Sequence, residues 1–442
     1  MNNKKIIKVI IISLFILIFL GVLIYLIIDK DNSNTSNNNN ISSITKSDIE
    51  NIDWSTYDSE EITLTKSVEI TKEGVYKLTG TISNGYIYIN TEGNVKLVLN
   101  NVTIINNSGP AIYIENAKSV EINTVKETTN ILSDGTTYND FEEDVNGCIY
   151  SKDDLILSGD GSLKVTGNYE DGIVSKDDLK IINGTYIINT KNNGIKGKDS
   201  IEIENGTFNI TSVGDAITVT NDTDKDKGYV LIENGSFTIK TTGNPDSSSS
   251  KGIKATNQVI INNGTFNIDS TDDSIHSDGT IKINNGTYTL SSKEDGIHAD
   301  GMIEINNGTF SITASEGIEA TYIKINDGDI TISATDDGIN ASNKSSDYTI
   351  TVEINGGNIT IKMGAGDTDA IDSNGNLYIN GGKIDITANS SFDYDGKAEY
   401  NGGTIIVNGN IVKSITNQMM GGGMKDNMPQ DGNIPQNGRR MR

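Results

Sequence analysis

The strongest constraint on this chain is that it repeats itself. The stretch SIHSDGTIKINNGTYTLSSKEDGIHADGMIEINNGTF, Ser274 to Phe310, states one pattern twice with an offset of 22 residues. The residue before each Gly-Ile-like step is Gly147, Asp171, Asn193, Asp215, Lys251, Asp273, Asp295, Glu316, Asp337 and Asp369, at successive intervals of 24, 22, 22, 36, 22, 22, 21, 21 and 32. A period of that length, broken only by loop-sized insertions, marks a solenoid whose units bury their apolar faces against their neighbours. Within a unit, apolar and polar residues alternate, as in Ile281-Lys282-Ile283 and, after Asn285-Gly286, Tyr288-Thr289-Leu290. Period two belongs to strands with one buried face. Asn-Gly also closes antiparallel hairpins. Here, however, like residues recur in one chain direction, which parallel strands stacked about 4.8 Å apart produce. The expected fold is all-β, a right-handed parallel β-helix of roughly a dozen coils and about 55 Å in length. Leucine-rich repeats share the period, but their Leu-x-x-Leu-x-Leu pattern is missing.

Stacking turns sequence columns into rows. The aromatic column Tyr186, Phe208, Phe237, Phe266, Tyr288 and Phe310 shares the parity of the following Ile or Leu, which puts the rings in the core. Asn183, Asn205, Asn234, Asn263, Asn285 and Asn307 precede glycine at a turn; side-chain amides there are expected to form a ladder. The acidic column, Asp171, Asp215, Asp273, Asp295, Glu316, Asp337 and Asp369, stacks like charges, which destabilises unless water or cations screen them. It reads either as a solvated turn or as a row of divalent-cation ligands. SKDDL at Ser151–Leu155 recurs at Ser175–Leu179 and as GKDSI at Gly197–Ile201, aligning Asp153, Asp177 and Asp199 with Asp154 and Asp178 alongside. Calcium takes 6 to 8 oxygen ligands, so this cluster is an expected calcium site unless Lys152, Lys176 and Lys198 neutralise it. Asp222, Asp224 and Asp226 in NDTDKDKG resemble the start of a calcium loop but lack its downstream Glu. His276 and His298 share a column, each with an aspartate two residues on. They are assigned to the ligand surface with Lys176, Lys196 and Lys198; a transition-metal site and mere duplication remain the alternatives.

The ends differ from the rod. Val9 to Ile28 is an apolar run preceded by Lys4, Lys5 and Lys8, long enough to span a bilayer and oriented with its N-terminus in the cytoplasm. The flanking Asp29-Lys30-Asp31 does not resemble a cleavage site, so the expectation is a single-pass anchor with an extracellular rod. The expected layout is an anchor over 1–31, a spacer and cap over 32–60, the β-helix over 61–417 and an unstructured tail over 418–442. The capping roles fall to the region around Trp54 and the strand near Ile405 to Val412. The chain carries a net charge of −25, and the part between anchor and tail carries −29. Nucleic acid is excluded as a partner for that surface. Cations suit it. Arginine is absent before Arg439, so bidentate guanidinium recognition is unavailable to the rod. Cys148 stands alone and is expected to be buried and inert.

GPAIYIENAKSVEI, GNYEDGIVSKDDLKI, NNGIKGKDSIEIENGTF and the later DGI/NGT coils closely resemble the clostridial family of exported β-helical carbohydrate-binding proteins, whose fold is like that of calcium-dependent pectate lyases. The resemblance runs from about Ile62 into the 410s. It implies a right-handed β-helix, bound calcium, and binding of plant cell-wall polysaccharide such as polygalacturonate or cellulose, without implying catalysis. A calcium-dependent lyase with Lys176, Lys196 or Lys198 as base is the first alternative, although neighbouring carboxylates favour the protonated amine. A structural stalk or adhesin is the second.

Overall fold

The computed structural model describes residues 41–417 except 42, 45, 48, 50, 245–247 and 367. Among these residues the chain forms strands from Ser59–Leu64 to Asn410–Val412, with a single 3-10 turn at Trp54–Thr56. Each regular coil contributes three strands, for example Asp171–Ser175, Asp178–Ile181 and Thr185–Thr190, followed by Ile195–Gly197, Ser200–Ile203 and Thr207–Ser212. Each strand pairs in parallel with its equivalent one coil later: Ile173 with Ile195, Leu179 with Ile201, and Tyr186 with Phe208. The rod therefore has three faces, called first, second and third in that order. The expected solenoid of parallel strands is what the chain forms.

Alternation fixes which residues meet. On the first face Ile195, Ile217, Ile253, Ile275 and Ile297 are fully buried, and the residue after each points outward. The third face buries the aromatic column as a continuous stack from Tyr186 to Phe310, with neighbouring ring centroids 4.5 to 5.1 Å apart. Each stacked pair adds roughly 0.5–1.5 kcal/mol beyond the area it buries. The glycine two residues before each ring is required. Gly206 has φ +147°, and a Cβ there would stand 2.9 Å from the Phe208 ring.

An amide ladder does form, one residue upstream of the expected column. Asn284 Nδ2 donates to Asn262 Oδ1, Asn306 to Asn284, and Asn326 to Asn306, at 2.6 to 2.8 Å, and the series continues through Asn355, Asn380 and Asn401. In the expected column, Asn263 lies 3.4 Å from Asn234, and Asn307 instead takes the backbone N–H of Gly308.

At the first coils, the Trp54 indole N–H donates to Glu121 at 2.5 Å and Lys96 lies over the ring. Ile41, Ile44 and Ser47 lie along the second face, where Ile41 meets Met302 and Tyr322, Ile44 meets Tyr229 and Leu231, and the Ser47 N–H donates to Glu202. At the last coil, Thr404–Val407 turns back on Asn410–Val412 in an antiparallel pair, which ends the parallel ladder. Cys148 is fully buried, and burial pushes its thiol pKa well up. The single-pass location expected from Val9–Ile28 does not stand. Among the described residues no helix is long and apolar enough to cross a membrane, and that segment, like the tail from 418, lies outside them.

Candidate functional site

The outward row of the first face changes chemistry along the rod. It begins with aromatic residues, Tyr88 paired with Tyr113 and Tyr113 with Tyr150. It continues through Val174, Lys196, Thr218 and Lys254. It then passes to His276, His298, Glu319 and Asn340, and ends at Asp372 and Asp393. Strand parity and coil register place these side chains on one surface.

At the aromatic end, Tyr138 and Phe141 fold over the row, and Phe141 packs edge-on against Tyr86 and Tyr113. The Tyr138 hydroxyl donates to Asp134 at 2.8 Å, and the ring stacks on Tyr169 at 4.5 Å. Burial raises the Asp134 carboxyl to about 6. Tyr86, Tyr88 and Tyr169 remain half-exposed, offering flat apolar surface with polar edges. Reading the acidic column missed this patch, because its residues recur at 25 and 37 residues, outside the regular period. The outward parity of Tyr88, Tyr113 and Tyr150 was the available signal.

Midway along the row lies an open depression of about 460 Å³, floored by His276, His298, Asp273, Asp295 and Glu319 and flanked by Lys251 and Lys344. His276 Nδ1 is 2.8 Å from Asp273 Oδ2, and its Nε2 is 2.8 Å from Asp278. His298 Nδ1 is 2.7 Å from Asp295 Oδ2 and 3.2 Å from Glu319 Oε2. The ring centroids are 4.9 Å apart, the distance set by one coil. Burial disfavours the charge on His298, but its bonds to Asp295 and Asp300 and the nearby Asp273 outweigh this and raise its pKa. Burial and the adjacent Glu319 raise the Glu316 carboxyl to about 8. For Asp273, the His276 bond and Lys251 overcome burial and hold the carboxyl low.

The acidic column also has a backbone role. Asp171 Oδ1 accepts the N–H of Asn193, Asn193 Oδ1 that of Asp215, and Asp215 Oδ1 that of Lys251. Asp273 and Asp337 do the same for Asp295 and Asp369. Each side chain accepts the amide of the equivalent residue one coil later, and Asn193 serves as well as aspartate because only an acceptor oxygen is needed.

The SKDDL repeats form a corner between the first and second faces. There Asp154, Asp177 and Asp178 each offer a carboxylate oxygen within 4.8 Å of the others. Burial and then the charges of Asp178 and Asp199 raise the Asp177 carboxyl. Lys227 reaches in from a later loop to 3.0 Å from Asp178 and 3.8 Å from Asp199. Asp153 instead accepts the Ala117 N–H, and Asp199 accepts from Asn221. Asp222, Asp224 and Asp226 sit on an exposed loop and do not converge; Asp224 accepts the N–H of Asp226. Lys176, Lys196 and Lys198 lie 3.6, 3.5 and 4.0 Å from Asp144, Asp171 and Asp199.

The sequence profile of the carbohydrate-binding domain-containing protein family matches residues 65–245, 240–296 and 289–418. The chain belongs to that family. A carbohydrate-binding domain-containing protein from Acetivibrio thermocellus is 37% identical over 129 residues, 28% of this chain and 45% of that relative. The chain thus spans under half the length of this relative. A solved structure described as the polysaccharide lyase-like protein from C. thermocellum, gadolinium derivative, is 30% identical with a TM-score of 0.43, over 54% of this chain and 87% of that one.

Proposed function

We propose that this carbohydrate-binding chain holds an extended plant cell-wall-type polysaccharide, polygalacturonate or a cellulose-like glucan, along the first face without cleaving it. The observation that carries this reading is the outward row of the first face, with half-exposed Tyr88 beside Tyr86 at one end and, beyond the covered Tyr113, Tyr150 and Val174, carboxylates and imidazoles farther on. Aromatic faces suit the C–H faces of pyranose rings. Charged acceptors and donors suit their hydroxyls.

Calcium is the proposed cofactor, held by Asp154, Asp177 and Asp178. The donor set is oxygen only, as calcium prefers. Its repulsion is already relieved in part by the Lys227 ammonium, which a cation would replace. Bound calcium would supply positive charge to a uronate carboxylate at the edge of the first face, where a chain of net charge −25 otherwise repels it. The lysine-base alternative receives no support from the geometry. Lys176, Lys196 and Lys198 each have a carboxylate within 4.0 Å, and such pairing favours the protonated amine.

Titration calorimetry with polygalacturonate and with a soluble β-glucan tests the reading. Calcium-dependent binding of polygalacturonate, abolished by chelator and weakened at least about tenfold in Tyr88→Ala, is expected. Binding that survives both chelation and the Tyr88 substitution would move the ligand off this face. Growth of unsaturated product absorbance would overturn the non-catalytic reading.

A further inference from the structure

The histidine depression carries a second cation chemistry, different from that of the aspartate corner. Two groups of side chains there bring one ligand atom each within 4.8 Å of one another: Asp273 with His276 and His298, and Asp295 with His298 and Glu319. His298 belongs to both. Among the described residues the aspartate corner is the remaining group of this kind, and it contains no nitrogen.

We propose that these two groups, Asp273 with His276 and His298 and Asp295 with His298 and Glu319, share one divalent transition-metal ion of the zinc class, with His298 as its common ligand. Imidazole nitrogen with carboxylate oxygen suits zinc, nickel and copper, whereas calcium and magnesium favour oxygen alone. Both imidazoles turn Nδ1 toward a carboxylate of the acidic column, 2.8 Å from Asp273 and 2.7 Å from Asp295. A proton or a metal ion can bridge such a pair, and deprotonation on metal binding releases that proton to solvent.

The surroundings hold the ligands in place, as the outer partners of metal ligands do. Asp273 is fixed through its other oxygen, Oδ1, by the Asp295 N–H at 3.0 Å. Glu319 is held through Oε1 by Lys344 at 2.9 Å and by the Ser342 hydroxyl at 2.9 Å, while Oε2 faces His298. Lys251, at 2.9 Å from Asp273, also pairs with Asp272 at 2.6 Å. It can keep that partner when Asp273 turns to a cation. The Nε2 atom of His276 has its own anchor in Asp278, at 2.8 Å. The site is open to solvent, so an ion has a path in.

The test uses the full chain and metal alone, so its outcome is independent of polysaccharide binding. Zinc and calcium are titrated calorimetrically, and cobalt is added to read the visible d–d bands of nitrogen-ligated metal. Expected are one zinc per chain at this site, affinity over calcium by at least about a hundredfold, proton release, and a cobalt spectrum lost on adding zinc. His298→Gln removes the member common to both groups and is expected to abolish the cobalt bands. Glu319→Gln is expected to weaken zinc by about tenfold. A melting curve establishes that each variant is folded. Should His298→Gln be unfolded, histidine resonances shifted by zinc in the unaltered chain replace it as the readout. Zinc bound no tighter than calcium, cobalt bands unchanged in folded His298→Gln, or histidine resonances unmoved by zinc would each overturn the proposal.

Discussion

The aspartate corner and the histidine depression are built by the same device and end with different chemistry. In both, equivalent positions of successive coils are set side by side. At the corner the stacked residues are Asp154 and Asp178 with Asp177, and a lysine from 49 residues downstream of Asp178 fills the negative hollow. In the depression the stacked residues are imidazoles one coil apart, each already bonded to a carboxylate. Stacking concentrates whatever the column contains; it does not choose a cation. Ligand type does, through hardness of the donor atoms.

The largest effect that would break this contrast comes from the corner. Asp178 is almost completely buried and accepts both the Ser200 hydroxyl at 2.6 Å and Lys227 at 3.0 Å. Replacing it by Ala takes the acceptor from the Ser200 hydroxyl and leaves Lys227 only its longer contact with Asp199, and denaturant unfolding is expected to show a loss of about 3 kcal/mol. The same variant should lose the calcium-induced rise in melting temperature and keep the zinc-induced one. A loss of both would show the two regions to be one site.

A smaller effect separates charge from hydrogen bonding in the acidic column. Asp171 accepts a backbone N–H from the next coil, so Asp171→Ala is expected to cost about 1–3 kcal/mol. Asp171→Asn should cost less, because an amide oxygen still accepts that N–H while the contact of the other oxygen with Lys196 is lost. Equal losses in chemical denaturation would mean that the carboxylate charge matters there.

The smallest effect concerns the acidic end beyond the histidines. Burial, together with Asp337 and Asp393, raises Asp372 to about 7, and burial raises Asp337 to about 6. Both values lie above the ordinary 3.8, so between them the folded state binds more protons than the unfolded chain. Their contribution is complete below about pH 4 and is lost as the pH rises through 6 to 7. The melting temperature should fall over that window, and Asp372→Asn should flatten the slope. An unaltered slope would assign it to other groups.

Much of this was readable from one-dimensional spacing. The period gave coils, the parity of Phe208 and Phe237 gave a buried stack, and the SKDDL repeats put Asp178 one coil from Asp154. The amide ladder was displaced by one residue because the Asn-Asn-Gly turns offer two asparagines, and only backbone direction at the turn decides which lies along the stacking axis. The backbone role of Asp171 was hidden because the N–H that its side chain accepts lies in another coil. Lys227 and the Tyr138–Phe141 segment enter the sites from insertions, whose path a period does not specify.

What the sequence alone determined is the alternation of inward and outward residues and the interval at which they return, since strand parity and coil length are local properties of the chain. What the tertiary structure decided is which outward residues share a surface and how their charges are met. Those outcomes depend on distances between segments tens of residues apart, where a shift of one residue in the turn exchanges one neighbour for another.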